Sequence, residues 1–270
     1  MADAEFPNKV LEGRCDEISP CVGCMTSETD MKIEAADTSK TVVIVGGGVG
    51  GLEAAWVSAA RGHNVILLEK RDKPGGQAYT ASTPPHKQGF ARVIKHYLTM
   101  CKKHGVDIRL NTEATADMIA SLHPDVVILS TGATPVGLDV PNDGIAVAQV
   151  ADVLGGEVIS GYNVLVVGGG LVGLETADFL LSQKRLVTVV EMLDKAGAGR
   201  DYVLYNTLRN IGDNIMTSTK VQRFTKDGAV CLAPQGEITL SGYDMVILAV
   251  GSRPYNPLEK ELEGKVRKSM

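Results

Sequence analysis

The strongest constraint on the fold of this chain is a glycine-rich turn between a predicted strand and a predicted helix. The preceding run, Thr41 to Val45, is apolar and mostly β-branched, which is typical of a strand buried on both faces of a parallel sheet. The glycines of the turn are Gly46, Gly48 and Gly51. Asn64 to Leu68 forms the next predicted strand, and Glu69 follows it directly. This order of strand, glycine turn, helix, strand and acid indicates a unit that binds a dinucleotide.

Each glycine of such a turn has a separate physical task. The first forms the tight turn, the second lets the backbone approach a pyrophosphate, and the third lets the helix pack closely against the strand. The helix that follows offers free N–H groups and the positive end of its dipole to the phosphates. The acid accepts hydrogen bonds from an adenosine ribose. We therefore predict that Gly46, Gly48, Gly51 and Glu69 bind a dinucleotide.

The same pattern occurs a second time in the chain. Asn163 to Val167 and Leu186 to Val190 are predicted strands, Leu174 to Leu181 is a predicted helix, and Glu191 is the terminal acid. The glycines of this copy are Gly168, Gly170 and Gly173. The same number of residues separates the first glycine from the acid in both copies. The sequence therefore predicts an α/β fold with two dinucleotide-binding units.

The elements between and after these units are predicted from periodicity and turn signals. The predicted helices are Phe90 to His104, Ala116 to Leu122 and Asp201 to Ile211. The further predicted strands are Val106 to Leu110, Asp125 to Leu129, short antiparallel strands within Gln222 to Leu240, and Tyr243 to Val250. The segments predicted to lack regular structure are residues 1 to 39, the loop Lys70 to Gln88 and the connector Pro135 to Gly161.

Small residues follow the last strand of each unit, at the edge where open α/β sheets bind ligands. Thr131 and Gly132 follow one such strand, and Gly251 follows the other. Their alternative interpretation is a simple turn from strand to loop. The adjacent Gly75 and Gly76 either let the backbone approach a ligand or simply make a turn.

Composition excludes several classes of function. The 270 residues include 30 glycines, are 44% hydrophobic and carry a formal net charge of −5. No basic stripe is present and only 4% of the residues are aromatic, so nucleic acid and anionic membranes are poor partners. No apolar run has the length of a membrane span, and the first residues lack the pattern of a signal peptide. We therefore expect a cytoplasmic protein with reduced cysteines.

One cysteine pair, Cys21 and Cys24, has the C-x-x-C spacing of a metal-ligand pair or a redox dithiol. A complete cluster needs about four thiolates, and the next cysteine after Cys24 is Cys101. Three interpretations stay open: unused thiols on a poorly ordered segment, a cluster or zinc site completed by another chain, and a working dithiol. We predict no metal site built by this chain alone. The sequence has no G-x-S-x-G nucleophile elbow and identifies no catalytic residue.

The order and the residues of these motifs resemble those of the flavoprotein oxidoreductases with two dinucleotide-binding domains. More closely, they resemble the carboxyl-terminal half of the 2,4-dienoyl-CoA reductase, enoate reductase and trimethylamine dehydrogenase group. The matching segments are Ile18 to Cys24, the two glycine motifs with Glu69 and Glu191, Lys73 to Gln77, Ser130 to Pro135, and Gly251 to Pro254.

The resemblance implies a fold in which the second Rossmann-like domain is inserted in the first. It implies an N-terminal extension at 1–39, an FAD-binding domain at 40–155, an NAD(P)H-binding domain at 156–252 and a truncated return to the FAD domain at 253–270. By position, Gly46, Gly48, Gly51 and Glu69 would bind FAD together with the residues Gly76, Gln77, Thr131 and Gly132. The pyridine nucleotide would be bound by Gly168, Gly170, Gly173 and Glu191, with Gly251 also facing a cofactor.

Two details of the second site refine this expectation. Glu175 matches a position near the nicotinamide in related reductases, although an acid at a helix N-terminus also simply complements the dipole. No arginine follows Glu191 directly, so a 2′-phosphate would face an uncompensated carboxylate. This favours NADH over NADPH.

The sequence also departs from the group. The FMN-binding barrel, two cluster cysteines and the late Gly-Asp segment that contacts FAD are not found in these 270 residues. We therefore carry two hypotheses. The first is an oxidoreductase module that passes hydride from NADH to FAD and on to an unknown acceptor, such as a separate FMN-barrel or iron–sulfur protein. The second is a non-catalytic subunit that binds nucleotide and docks to a separate FMN-barrel chain.

Overall fold

The computed structural model describes Asp3 and residues 5–20, 33–197 and 211–266. The chain divides into two compact units. The first contains Met1–Ser82, Gln88–Ala133 and Pro254–Met270, and the second contains Thr83–Lys87 and Thr134–Arg253. The second unit is therefore inserted into the first, which confirms the predicted fold class.

The N-terminal segment contains regular structure that the sequence analysis did not predict. Helix α1 (Phe6–Leu11) is followed by a short 3-10 helix at Cys15–Glu17. The buried carboxylate of Asp3 organises this segment, because it accepts hydrogen bonds from the backbone N–H of Ser19 and from the Lys9 ammonium, at 2.9 and 2.8 Å. Such long-range polar contacts leave no periodic signal in the sequence. The predicted Cys21 and Cys24 pair lies outside the described residues.

A parallel four-stranded sheet forms the centre of the first unit. Its strands are β1 (Thr41–Val45), β2 (Asn64–Leu68), β3 (Asp107–Arg109) and β4 (Val126–Leu129), in the spatial order β3-β2-β1-β4. Its helices are α2 (Val49–Ala60), α3 (Gln77–Ala81), α4 (Gly89–Lys103) and α5 (Ala116–Ser121). The predicted strands and helices of this unit are present, with ends shifted by at most a few residues. Helix α3 was missed, because its five residues lie in a loop rich in glycine and proline.

Alternating residues of β1 contribute to two separate apolar cores, one on each face of the sheet. Val42 and Ile44 pack with α2 and α4, while Val43 and Val45 pack with α5 and with Leu262, from the last described part of the chain. Burial on both faces explains why β1 is an uninterrupted β-branched run.

The second unit contains a five-stranded parallel sheet and an antiparallel three-stranded sheet. After the short strand β5 (Ala133–Pro135), the elements in chain order are β6 (Ala146–Gln149), α6 (Val150–Gly155), β7 (Asn163–Val167), α7 (Leu171–Ser182), β8 (Leu186–Val190), a 3-10 helix (Gly212–Asn214), β9 (Ile215–Met216), β10 (Lys220–Phe224), β11 (Ala229–Ala233), β12 (Gly236–Leu240) and β13 (Met245–Leu248). The parallel sheet has the order β6-β13-β7-β8-β9, and β10 to β12 form the antiparallel sheet that was predicted.

The connector predicted at Pro135 to Gly161 is not wholly irregular. It contains β5, β6 and α6, and β6 pairs in register with β13, about a hundred residues further along the chain. This pairing places residues 134–155 in the second unit, whereas the sequence analysis assigned residues up to 155 to the first domain. The predicted helix Asp201 to Ile211 lies outside the described residues except for Ile211.

The chain returns to the first unit through β14 (Ser252–Pro254), which pairs with β5, and ends its described part with α8 (Leu258–Leu262). Leu258 and Leu262 are buried in the core that also contains Ile119 of α5. Over the part of the chain that the structure describes, no helix is long and apolar enough to cross a membrane.

Candidate dinucleotide sites

The first glycine turn lies between β1 and α2, at the carboxyl edge of the sheet. Gly46 has a φ angle of +102°, and a Cβ at this position would collide with the carbonyl oxygen of Ser130. A Cβ on Gly51 would collide with the carbonyl oxygen of Gly46. These two glycines are therefore required by the turn and by the close packing of α2.

Gly48 is a glycine for a different reason. It has an extended conformation, with φ at −69° and ψ at 179°, which any residue can adopt. A Cβ here would meet no atom within 4 Å. Gly48 is also the residue directly before α2, so its surroundings include the free N–H groups of the first helical turn. The open space at this point is therefore available to a ligand.

The carboxylate of Glu69 is buried beside this turn, with 7% of the residue exposed. One oxygen accepts a hydrogen bond of 2.6 Å from the Gly47 N–H, and the other accepts one of 2.8 Å from the Arg71 N–H. An ionised carboxylate has about four acceptor positions. Glu69 thus fixes the turn and can still accept a hydrogen bond from a ribose hydroxyl.

The loop segment Gly75 to Gln77, which includes two residues predicted to bind FAD, contacts this turn. Gly75 donates a 2.7 Å hydrogen bond to the Gly47 carbonyl oxygen, and a Cβ on Gly76 would lie 3.1 Å from the Cα of Gly48. Gln77, the first residue of α3, donates a weak 3.4 Å hydrogen bond to the Ala133 carbonyl oxygen.

Thr131 and Gly132 follow β4, the neighbour of β1. Both residues contact Tyr255, which follows β14. The Tyr255 N–H donates a 3.0 Å hydrogen bond to the Gly132 carbonyl, and the Tyr255 carbonyl accepts a hydrogen bond from the Thr131 hydroxyl. Tyr255 was not predicted as a site residue, because nothing in the local pattern shows that residues 124 positions apart are neighbours.

The second unit repeats the geometry of the first turn. Gly168 has a φ angle of +106°, a Cβ on Gly173 would collide with the Gly168 carbonyl, and Gly170 is extended with open space around it. Glu191, also buried, accepts hydrogen bonds from the N–H groups of Gly169 and Leu193 at 2.7 and 2.8 Å. The two units also share a loop contact. The Gly197 N–H donates a hydrogen bond to the Gly169 carbonyl, just as the Gly75 N–H donates one to the Gly47 carbonyl.

Glu175 lies in the first turns of α7 and forms an ion pair with Lys87, with a distance of 2.6 Å between nitrogen and oxygen. Both side chains are only partly exposed, at 20% for Glu175 and 33% for Lys87. Lys87 belongs to the short segment Thr83–Lys87, which packs with the second unit. The local sequence gives no sign of this pair, since the two residues are far apart in the chain.

Gly251 follows β13 and has a φ angle of +102°. Its carbonyl accepts a 2.9 Å hydrogen bond from the Val136 N–H, and a Cβ would meet nothing within 4 Å. The residue is exposed and occupies the position in the second unit that the loop after β4 occupies in the first.

The described cysteines and histidines do not converge on either site. Cys101 and Cys231 are fully buried in apolar cores, and burial raises the pKa of each thiol to about 11. Among the described residues, no group of three or more metal-ligating side chains comes together.

The residues present fit two dinucleotides. Each unit has an extended glycine beside open space, a helix N-terminus and a buried acid that orders the turn. The fold and these paired turns define the class of two-domain pyridine-nucleotide flavoproteins.

The comparisons with known proteins agree with this class. Residues 117–269 match the family model of the pyridine nucleotide-disulphide oxidoreductases, and residues 44–103 match an NAD(P)-binding Rossmann-like domain. The chain therefore belongs to the pyridine nucleotide-disulphide oxidoreductase family. These matches also support FAD and NADH as the cofactors, as predicted from the resemblance.

Two curated relatives and one solved structure illustrate the match. A metal reductase of Desulforamulus reducens is 31% identical over 98% of this chain and 48% of its own length. An NADH oxidase of Thermoanaerobacter brockii is 33% identical over 98% of this chain and 46% of its own length. A 2-naphthoyl-CoA reductase structure superposes with a TM-score of 0.90 at 28% identity, covering all of this chain and 46% of that protein.

The chain thus spans about half the length of the curated relatives it matches. The predicted resemblance to the FAD- and NAD-binding half of the enoate reductase group is confirmed.

Proposed function

We propose that this chain is an NADH-dependent flavin oxidoreductase module that binds FAD in the first unit and NADH in the second. The observation that carries the proposal is the repeated turn, in which Gly48 and Gly170 are extended glycines that face open space. Neither needs to be glycine for the fold of the chain, so the absence of a side chain is best explained by the approach of a ligand.

The first unit would hold the ADP half of FAD. The N–H groups at the start of α2 would meet the diphosphate, and Glu69 would accept a hydrogen bond from the ribose. Gly76, Gln77, Thr131 and Gly132 would line the same cofactor. When bound, FAD supplies the ring that accepts hydride, so the side chains need only bind and orient the two cofactors.

The second unit would hold NADH in the same manner, through the start of α7 and Glu191. The two residues after this acid are Met192 and Leu193, which are 66% and 56% exposed and carry no charge. A 2′-phosphate would face the Glu191 carboxylate without a cation next to it in the chain, and this supports NADH over NADPH. The ion pair with Lys87 would hold Glu175 in a fixed position at the N-terminal end of α7.

For the electron acceptor, we propose only a class of protein. A separate FMN-barrel or iron–sulfur protein is the proposed acceptor, as the resemblance to the enoate reductase group implies. The alternative hypothesis is a nucleotide-binding subunit of a split complex without activity of its own. Reduction of a dye by NADH with the isolated chain separates the two, because only the first candidate predicts it.

The experiment that tests the assignment uses the two extended glycines. Gly48→Ala and Gly170→Ala each add one methyl group where no protein atom lies within 4 Å, so both variants are expected to fold. Gly48→Ala should lose bound FAD, while Gly170→Ala should retain FAD and lose the response to NADH. The two variants serve as controls for each other. The assignment is contradicted if both variants lose FAD to the same extent, or if neither variant loses FAD.

A further inference from the structure

A lysine and a tyrosine from distant parts of the chain meet in the first unit. The Nζ atom of Lys70 lies 6.0 Å from the ring centroid of Tyr255. This is the outer limit of a cation–π contact. Lys70 is the residue directly after Glu69, and among the described residues no carboxylate pairs with its ammonium group.

The backbone of Tyr255 is fixed to the loop that follows β4. Its N–H donates a 3.0 Å hydrogen bond to the Gly132 carbonyl, and its own carbonyl accepts one from the Thr131 hydroxyl. Tyr255 as a whole is 44% exposed, so its side chain is not part of the buried core. The side chain therefore has a defined place at the carboxyl edge of the sheet.

The contact spans the end of β1. Lys70 belongs to the loop after β2, and Tyr255 is tied to the loop after β4, while β1 lies between these two strands. Strands two positions apart are separated by about 10 Å. The contact therefore joins the two loops that lie on either side of the glycine turn after β1.

We propose that Lys70 and Tyr255 form a clamp over the first glycine turn. In this clamp, the Lys70 ammonium binds the diphosphate of an adenine dinucleotide, and the Tyr255 ring positions the lysine. The inference rests on the proposed function in one respect, namely that the ligand of this unit is a dinucleotide. A cation complements the diphosphate, because the helix N-terminus offers only partial charges and Glu69 adds a negative charge nearby.

The test measures the Kd of the full chain for FAD and, separately, for ADP, at several salt concentrations. Lys70→Ala should raise both Kd values about tenfold and make them less dependent on salt. Tyr255→Ala should have a smaller effect in the same direction, and Tyr255→Phe should bind as the unaltered chain does, because it keeps the ring.

The matched control is Lys73→Ala. Lys73 is in the same loop, and its ammonium lies 5.4 Å from the ring centroid of a different tyrosine, Tyr79. Because both residues are lysines, Lys73→Ala and Lys70→Ala change the net charge of the chain by the same amount. The Kd of this variant should stay within about twofold of the unaltered value, since a charge outside the clamp acts only at longer range. An unchanged Kd for Lys70→Ala, or an equal loss in Lys73→Ala, overturns the clamp.

Failure of the proposed function gives a different result. If the unaltered chain binds ADP but not FAD, the flavin assignment is wrong, and the clamp is still tested by the ADP measurements. If it binds neither ligand, both proposals are overturned.

Discussion

The carboxylate of Glu69 accepts a 2.6 Å hydrogen bond from the backbone N–H of Gly47. The acid at the end of β2 is therefore part of the glycine turn before any nucleotide binds. The second unit repeats the bond between Glu191 and Gly169 at 2.7 Å. In both units the acid connects the end of one strand to the turn after its neighbour, so a single carboxylate serves the fold and the proposed site.

Replacing this carboxylate with an amide should affect each unit separately. Glu69→Gln retains one carbonyl acceptor but directs an N–H₂ group at a backbone donor, so one buried N–H loses its partner. We expect a loss of about 1–3 kcal/mol in the free energy of unfolding, together with weaker FAD binding. Chemical denaturation and the ratio of FAD to protein measure the two effects.

The corresponding control is Glu191→Gln. It should weaken the interaction with NADH and leave the FAD content unchanged. Loss of FAD in this variant would contradict the separation of the two sites.

The close packing of the helix on the turn predicts a large difference between adjacent glycines. A Cβ on Gly51 collides with the Gly46 carbonyl, while a Cβ on Gly50 meets nothing within 4 Å. Gly51→Ala should therefore lower the free energy of unfolding by about 3 kcal/mol. Gly50→Ala should leave it equal or raise it by up to about 1 kcal/mol, because alanine favours the helix. Urea denaturation of the two variants provides the measurement, and equal stabilities would be incompatible with the geometry.

Stability should depend on pH through His96, which lies on α4. Burial lowers the pKa of His96 below its ordinary value of 6.5, and the Lys9 ammonium lowers it further, while Asp3 and Glu17 act in the opposite direction. The neutral imidazole is thus favoured in the folded state. Its contribution is fully present above about pH 6.5 and is lost as the pH falls through the folded pKa. The free energy of unfolding should therefore decrease from pH 7 to pH 5.

His96→Phe keeps an aromatic ring beside Tyr97 and removes the titrating group, so it should reduce this decrease. The control is His123→Asn, at an exposed position with a φ angle of +49° that asparagine tolerates. An undiminished pH dependence in His96→Phe would exclude the histidine as its source.

The thiols of the described cysteines should differ in reactivity. Cys15 is exposed, whereas Cys101 and Cys231 are buried with the pKa of each thiol raised to about 11. At pH 8 the folded chain should be alkylated at Cys15 and protected at the two buried thiols, which stay protonated. Peptide mapping by mass spectrometry before and after unfolding provides the readout. Rapid labelling of Cys101 in the folded chain would show that the core between α2 and α4 opens readily.

The ion pair between Lys87 and Glu175 should contribute little to stability. Both groups are partly exposed, so a double-mutant cycle with Lys87→Ala and Glu175→Ala should give a coupling of about 0.5–1 kcal/mol. If the pair orients Glu175 for the nucleotide, Lys87→Ala should also raise the KM for NADH. A coupling near zero with an unchanged KM would show that the pair is a surface contact only.

The sequence predicted the parts of the fold whose signals are local. The runs at β1, β2, β7 and β8 are buried on both faces, and the glycine turns follow fixed spacings, so these four strands were predicted with the ends that the structure has. The missed elements depend on distant partners. Strand β6 pairs with β13, and the N-terminal segment is held by Asp3, whose carboxylate accepts hydrogen bonds from Lys9 of α1 and from the Ser19 N–H, 16 residues away.

The candidate site shows the same division. The glycines and acids were found from their spacing, while Lys87 and Tyr255 were not, because each reaches the site from a distant part of the chain. The sequence pattern also gave no sign that Glu69 and Glu191 are held by backbone N–H groups. Such contacts depend on how the strands and turns are brought together in three dimensions.

The most direct test of the account is the visible spectrum of the chain supplied with FAD, recorded without oxygen before and after the addition of NADH. Flavin absorption bands should remain with the protein after removal of free FAD, and NADH should bleach them. A chain that retains no flavin, or a bound flavin that NADH does not bleach, would contradict the claim that these two units form an NADH-dependent flavin oxidoreductase module.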